Sequence, residues 1–357
     1  MNRRSLVGAA ALAALGAPVR AAQAAQAVQA AGVNMPPVLQ RPALATPLAQ
    51  GAAMLALARA GKRLVAAGER GIVLFSDDEG RRWTQAQVPV QASLTALRFA
   101  DERRGWAAGH LGVLLATSDG GANWALQLDG VRAAQRVLEA AADEAQRKSA
   151  ERLASDGPDK PFFDLEVQGS LLLAVGAYGL AFESRDGGAT WAPFAQRLPN
   201  PKRLHLYGVR AVGERLFIAG EQGLLARSHD RGASFEALQS PYKGSFFGLL
   251  ATRRGTLVAY GLRGNAFRSA DFGSSWAPVS TGAPVSISAG IERADGTLVL
   301  LAQNGDLLAS RDDGQTFERR PAAPPFPAAA LAAADGSANG NALVLAGLRG
   351  LKRIDNA

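Results

Sequence analysis

An eight-residue pattern, Ser/Thr-x-Asp-x-Gly-x-x-Trp/Phe, occurs six times in the chain. The copies begin at Ser76, Thr117, Ser184, Ser228, Ser269 and Ser310, and they put Asp78, Asp119, Asp186, Asp230, Asp271 and Asp312 at one shared position. Successive aspartates lie 41, 67, 44, 41 and 41 residues apart. The period is therefore near 41, and the long interval carries an insertion. A second marker precedes each box: Gly-x-x-Gly between two apolar runs, at Gly68/Gly71, Gly109/Gly112, Gly176/Gly179, Gly220/Gly223 and Gly261/Gly264. The sixth copy keeps only Gly305, and a seventh, Gly347/Gly350, has no box after it.

Each repeat reads as four short strands joined by turn residues. Short strands at a period of about 40–45 residues are the signature of a propeller blade. The expected fold is therefore all-β, a seven-bladed β-propeller with four-stranded blades over residues 28–357. The truncated last repeat lacks an outer strand, and residues 38–45 are the expected strand that completes it and covers its edge. The insertion, residues 131–160, joins blades 2 and 3. Its 131–153 stretch has no Gly or Pro and is rich in Ala, Glu, Gln, Arg and Lys, which predicts a helix. Asp143/Arg147 and Glu144/Lys148 are expected to pair at i,i+4.

Residues 1–27 read as an export signal: Arg3 and Arg4, an apolar stretch at 6–15, then small-residue cleavage options ending at Ala24 or Ala27. The apolar stretch is too short for a membrane span. Removing 1–27 takes three arginines and no acid from a formal charge of +8, leaving +5. That charge does not predict nucleic-acid binding. The expected address is the periplasm, and the expected state a monomer. The chain has 0 Cys, so disulfides, thiolate metal sites and a cysteine nucleophile are excluded.

The box residues explain themselves structurally. The carboxylate can accept from backbone N–H groups of its own turn, the Gly permits positive φ, and the aromatic ring can bury between sheets. Six aspartates spread around a ring cannot converge as a catalytic pair. No Gly-x-Ser-x-Gly elbow or phosphate-binding loop occurs, and His229 lies on the box face, away from His110 and His205. No catalytic residue, metal or cofactor is expected. In a four-stranded blade the boxes occupy one face and the Gly-x-x-Gly turns the other. The second face should present Arg70, His110, Tyr178, Arg263 and Arg349 at turn centres, with Lys202, Arg203, His205 and Tyr207 leading into blade 4. Arg and Tyr are favoured interface anchors, and a basic rim suits acidic loops or anionic headgroups. Phe162-Phe163-Asp164, His205-Leu206-Tyr207 and Phe246-Phe247 begin inner strands and are expected to line the channel mouth. The box face is also basic, with Arg103, Arg104, Arg253, Arg254 and Arg293.

The pattern resembles the Asp-box, or bacterial neuraminidase, repeat. Sialidases add an Arg-Ile-Pro motif before the first box; nothing like it precedes Ser76, and Arg197-Leu198-Pro199 lies after the third box. The chain more closely resembles the photosystem II stability/assembly factor family and its bacterial relatives. The seven repeats, the export signal, Val-Ala-Ala-Gly-Glu-Arg-Gly-Ile at 65–72 and the insertion carry that resemblance. It implies a non-enzymatic scaffold that binds a membrane protein or its exported loops: a reaction-centre precursor, or a resistance-nodulation-division-type exporter. The rival expectation is a glycan-binding or glycoside-hydrolase-like propeller.

Overall fold

The computed structural model describes residues 35–334 and 341–355; the expected export signal lies outside them. Among the described residues the strands form seven antiparallel sheets, six of four strands and one of three, each running outward in chain order. The innermost strands are Met54–Ala60, Leu94–Phe99, Phe162–Gln168, Leu206–Val212, Phe246–Ala251, Ile287–Glu292 and Ala328–Ala333. Each packs beside the next and the last packs beside the first, so the sheets close into a seven-bladed propeller.

Apolar residues on both sides of the second strands hold the blades together. Leu171–Gly176 is buried along its whole length. Leu171, Leu173 and Val175 of blade 3 pack on Leu206, Val209, Leu216 and Ile218 from blade 4. Each such side chain contributes about 1.5–3 kcal/mol on full burial. Two glycines set each inner turn. At Gly176 a Cβ would lie 2.2 Å from the Pro161 carbonyl oxygen, so the backbones meet where no side chain fits, while Gly179 has φ +73°.

The seventh blade has three strands, Ala328–Ala333, Leu343–Gly347 and Gly350–Ile354. Contrary to expectation, residues 38–45 do not enter it. They run beside the exit from blade 1, with Ala43 N–H donating to Val88 O (2.9 Å) and Gln91 N–H to Val38 O (2.8 Å). Gln91 Nε2 and Gln85 Nε2 donate to the Pro42 and Leu44 carbonyls at 3.0 and 2.8 Å, so the segment's backbone groups are taken up there and not on the blade 7 edge. The ring closes laterally instead. Arg59 donates to the carbonyls of Ala333 (3.0 Å) and Ala334 (2.9 Å), and Leu57 and Leu64 share a core with Ala332 and Val344.

The insertion is helical but not continuous. It forms α1 (Gly130–Glu139) and α2 (Glu144–Ser155). Asp143 starts the second helix by accepting from the Gln146 N–H at 2.8 Å, as Asp129 starts the first through the Arg132 N–H at 2.9 Å. Its carboxylate is thus used as a cap, and the expected Asp143/Arg147 and Glu144/Lys148 pairs do not form among the described residues. Ala133 and Val137 seat α1 on the core shared by blades 2 and 3. No helix among the described residues is long and apolar enough to cross a membrane.

Candidate functional site

Every innermost strand slips its register by one residue near its start. In blade 3, Phe162 pairs with Gly176 and Asp164 with Val175, so Phe163 is left over. The same slip leaves over Leu55, Thr95, Tyr207, Phe247, Ser288 and Ala329. A bulge re-aims its extra residue away from the ladder. All seven of these residues line the central channel, a cavity of about 470 Å³. Where the extra residue is polar, it ties adjacent blades. Thr95 Oγ1 donates to the Phe162 carbonyl at 2.7 Å, and Ser288 Oγ to the Ala328 carbonyl at 3.1 Å.

In blades 3, 4 and 5 the extra residue is aromatic, and the rings touch across blades. Phe163 and Tyr207 have centroids 5.2 Å apart, and Tyr207 and Phe247 5.5 Å. His205 joins them at 6.0 Å from Phe163, and Tyr178 lies 4.8 Å from His205. Tyr178 sits at the turn tip with φ 54° and is 60% exposed. Its N–H donates to His205 Nδ1 at 3.2 Å, which fixes that nitrogen as an acceptor. Lys160 lies over the Tyr178 ring at 5.8 Å, and Arg203 reaches Ser149 on α2. The result is an aromatic arc at the channel mouth, walled on one side by the helical insertion.

Charges lie below the arc. The Asp164 carboxylate accepts from Arg98 at 3.0 Å, from Arg210, and from the Val209 N–H at 3.0 Å. Glu166 stands 3.9 Å from Arg210. Desolvation raises the Glu166 carboxyl above its usual value, against the pull of Arg210 and Arg98. Burial pushes the Tyr260 phenol up to about 12. These residues were not singled out from the sequence, although a signal exists. Arg98, Glu166 and Arg210 each stand three residues after the bulge, where blades 1, 5, 6 and 7 have Ala58, Leu250, Ile291 and Ala332.

Of the expected contact residues, Tyr178, Arg203, His205 and Tyr207 come together. Arg70 and Arg263 occupy the same left-handed turn position as Tyr178, on blades 1 and 5. In blade 2 that position belongs to Leu111, with His110 one residue earlier. Arg349 sits in the blade 7 hairpin, and Lys202 is exposed in the loop before blade 4. Among the described residues, Arg70, Lys202, Arg263 and Arg349 make no ion pair. The opposite face differs: Arg104 pairs with Asp101 at 2.7 Å and Arg253 with Glu292 at 3.0 Å, while Arg103 bonds the Ser118 carbonyl and Arg293 bonds Asn341.

That face also carries the boxes, and each box closes on itself. In the third, Ser184 Oγ donates to Asp186 at 2.7 Å and accepts from the Gly188 N–H at 2.7 Å, while the Thr190 N–H donates to Asp186 at 2.9 Å. No three His, Asp or Glu side chains gather as a metal cage among the described residues.

The family described as photosynthesis system II assembly factor YCF48 matches residues 162–317, which includes the whole aromatic arc except its outer wall. Over that stretch the chain resembles the photosystem II assembly factors, and its fold is a seven-bladed propeller. A curated relative, the photosystem II assembly lipoprotein Ycf48 of Synechococcus sp. (strain CC9902), is 27% identical over 180 residues, 46% of this chain. The match spans about half of that relative's length, 52%. A solved structure titled "YCF48 bound to D1 peptide" superposes with a TM-score of 0.63 at 15% identity, covering 91% of this chain and 98% of that one. The GH74 xyloglucanase from Xanthomonas campestris superposes at 0.61 and 16% identity, covering 86% of this chain and 52% of the enzyme. At such identities these likenesses establish the propeller fold, which hosts both binders and hydrolases.

Proposed function

We propose that the chain is a non-enzymatic assembly scaffold that holds an exported segment of a membrane protein at the channel mouth of blades 3–5. The observation that carries this reading is the aromatic arc of Phe163, Tyr207 and Phe247, set on a face where Arg70, Arg263 and Arg349 make no ion pair among the described residues. Aromatic and Arg side chains are the residues that dominate binding energy at protein interfaces. The relatives support it: one is named an assembly lipoprotein and another is titled as bound to a D1 peptide. Within the same reading, residues 1–27 direct export and are cleaved, and residues 28–357 work as a periplasmic monomer.

The glycan-hydrolase alternative is disfavoured by the carboxylates themselves. Asp164 and Glu166, which line the channel, face Arg98 and Arg210 instead of an open cleft. The partner is either a reaction-centre precursor or a resistance-nodulation-division-type exporter. To decide, a photo-crosslinking side chain is placed at Tyr178 in the whole chain, and crosslinked species are recovered from solubilised membranes. Recovery of one polytopic membrane protein, lost in a Tyr207→Ser, Arg203→Glu variant, supports the scaffold and names the branch. Crosslinking that the variant leaves unchanged sinks the proposed mouth. Specific turnover on a glycan panel overturns the non-enzymatic reading.

A further inference from the structure

Exposed apolar side chains are concentrated in one corner of the propeller. Large exposed hydrophobics among the described residues are Val38, Leu44, Leu48, Tyr178 and Leu348. Setting Tyr178 aside with the aromatic arc, the rest belong to the N-terminal segment or to the blade 7 hairpin tip. Leu44, Leu48 and Leu348 are 71%, 77% and 66% exposed. Singly exposed leucines need no explanation, but a cluster of them does.

Backbone contacts bring these leucines to one rim. A Cβ on Gly350 would lie 2.1 Å from the Gln50 carbonyl oxygen, and one on Gly71 would lie 3.4 Å from Ala43 Cβ. The segment therefore rests against the hairpin tips of blades 7 and 1, on the Gly-x-x-Gly face. The charge there has one sign. Residues 37–51 and 341–354 contain no Asp or Glu. Arg41, Arg70 and Arg349 are exposed and make no ion pair among the described residues. Glu69, next to Arg70 in the chain, is occupied in accepting from the Ala53 N–H at 3.0 Å.

Apolar side chains ringed by unpaired arginines match the boundary between anionic headgroups and acyl chains. We infer that this corner seats the propeller on an anionic lipid bilayer, with Leu44, Leu48 and Leu348 entering the acyl boundary and Arg41, Arg70 and Arg349 meeting lipid phosphates. The corner is formed by loop and hairpin tips, and its two segments offer no acids, as contact with an anionic surface requires. The chain has 0 Cys, so a thiol introduced at this corner would be unique. The aromatic arc of blades 3–5 shares the face and would look toward the same bilayer.

The absence of cysteine also provides the test. Leu348→Cys, made in the whole chain and labelled with an environment-sensitive fluorophore, is mixed with vesicles of phosphatidylglycerol and phosphatidylcholine, and separately with phosphatidylcholine alone. Arg254→Cys on the box face is the control. The expected result is a blue-shifted, roughly twofold brighter signal at position 348 with anionic vesicles only, and none at position 254. A second variant, Arg70→Glu with Arg349→Glu, is expected to lower vesicle partition about tenfold or more. No change at position 348, equal changes at both positions, or partition unaffected by the charge reversal would overturn the inference. The vesicles contain no protein, so failure here leaves the scaffold reading standing.

Discussion

The Asp164 carboxylate takes the Arg98 guanidinium at 3.0 Å across the seam between blades 2 and 3, while its other oxygen accepts from Arg210 of blade 4. One acid thus ties three successive blades below the aromatic arc. Asp164→Asn leaves two arginines facing each other. Arg98 keeps 30% of its side chain exposed to the channel, which tempers the loss. We expect a cost of about 2–4 kcal/mol, read as a lower midpoint in urea denaturation.

Glu166 should behave in the opposite way. Desolvation raises its carboxyl in the folded chain. A carboxyl whose folded pKa lies above its unfolded value opposes folding once pH exceeds the unfolded value. Glu166→Gln should therefore leave the denaturation midpoint unchanged or raise it. A loss as large as that of Asp164→Asn would contradict this account.

Tyr207 can be exchanged without disturbing its blade. It is the bulged residue of its strand, and the equivalent residues Thr95 and Ser288 are small and polar. Tyr207→Ser is expected to shift the melting temperature little while weakening capture of the membrane partner about tenfold. Parallel melting and crosslinking measurements on the variant check both halves.

The boxes make the fold sensitive to acid. Hydrogen bonds from Ser275 and Thr316 hold Asp271 and Asp312 down to about 2, well below the ordinary carboxylate value. Groups with depressed folded pKa values contribute stability above their unfolded value and lose it as pH falls through the folded one. Melting temperature should thus be flat from neutrality to about pH 4.5 and then fall steadily toward pH 2. Ser269→Ala, which removes a bond to Asp271 and one from the Gly273 N–H, should lower the melting temperature at neutral pH and make the acid fall shallower.

Asp143→Ala removes the cap that starts α2. A lost N-cap costs about 0.5–2 kcal/mol. Amide exchange should accelerate within Glu144–Ser155 and remain unchanged in the blades.

Much of this architecture is legible in sequence because it is repeated. Six boxes and their Gly-x-x-Gly partners give strand count, blade count and the two faces without any three-dimensional information. The short segments that hold Phe163, Tyr207 and Phe247 are placed at the channel mouth for the same reason. What escapes is whatever depends on register or on competition between local bonds. The bulge that frees those three rings appears only when strand pairing is known. Asp143 reads equally well as an ion-pair partner and as a helix cap, and the backbone claims it. Residues 38–45 looked like a strand by their position next to an open edge, but the exit from blade 1 takes up their backbone groups instead.

Because each bulged residue stands outside its blade's hydrogen-bond ladder, its side chain is largely released from the packing rules that fix its neighbours. The channel mouth is in effect a seven-place dial, reading Leu, Thr, Phe, Tyr, Phe, Ser, Ala around the ring. Single substitutions can turn any place of the dial without refolding the molecule. If the proposed client docks at this mouth, the seven letters at these places are where a change of client should first be written.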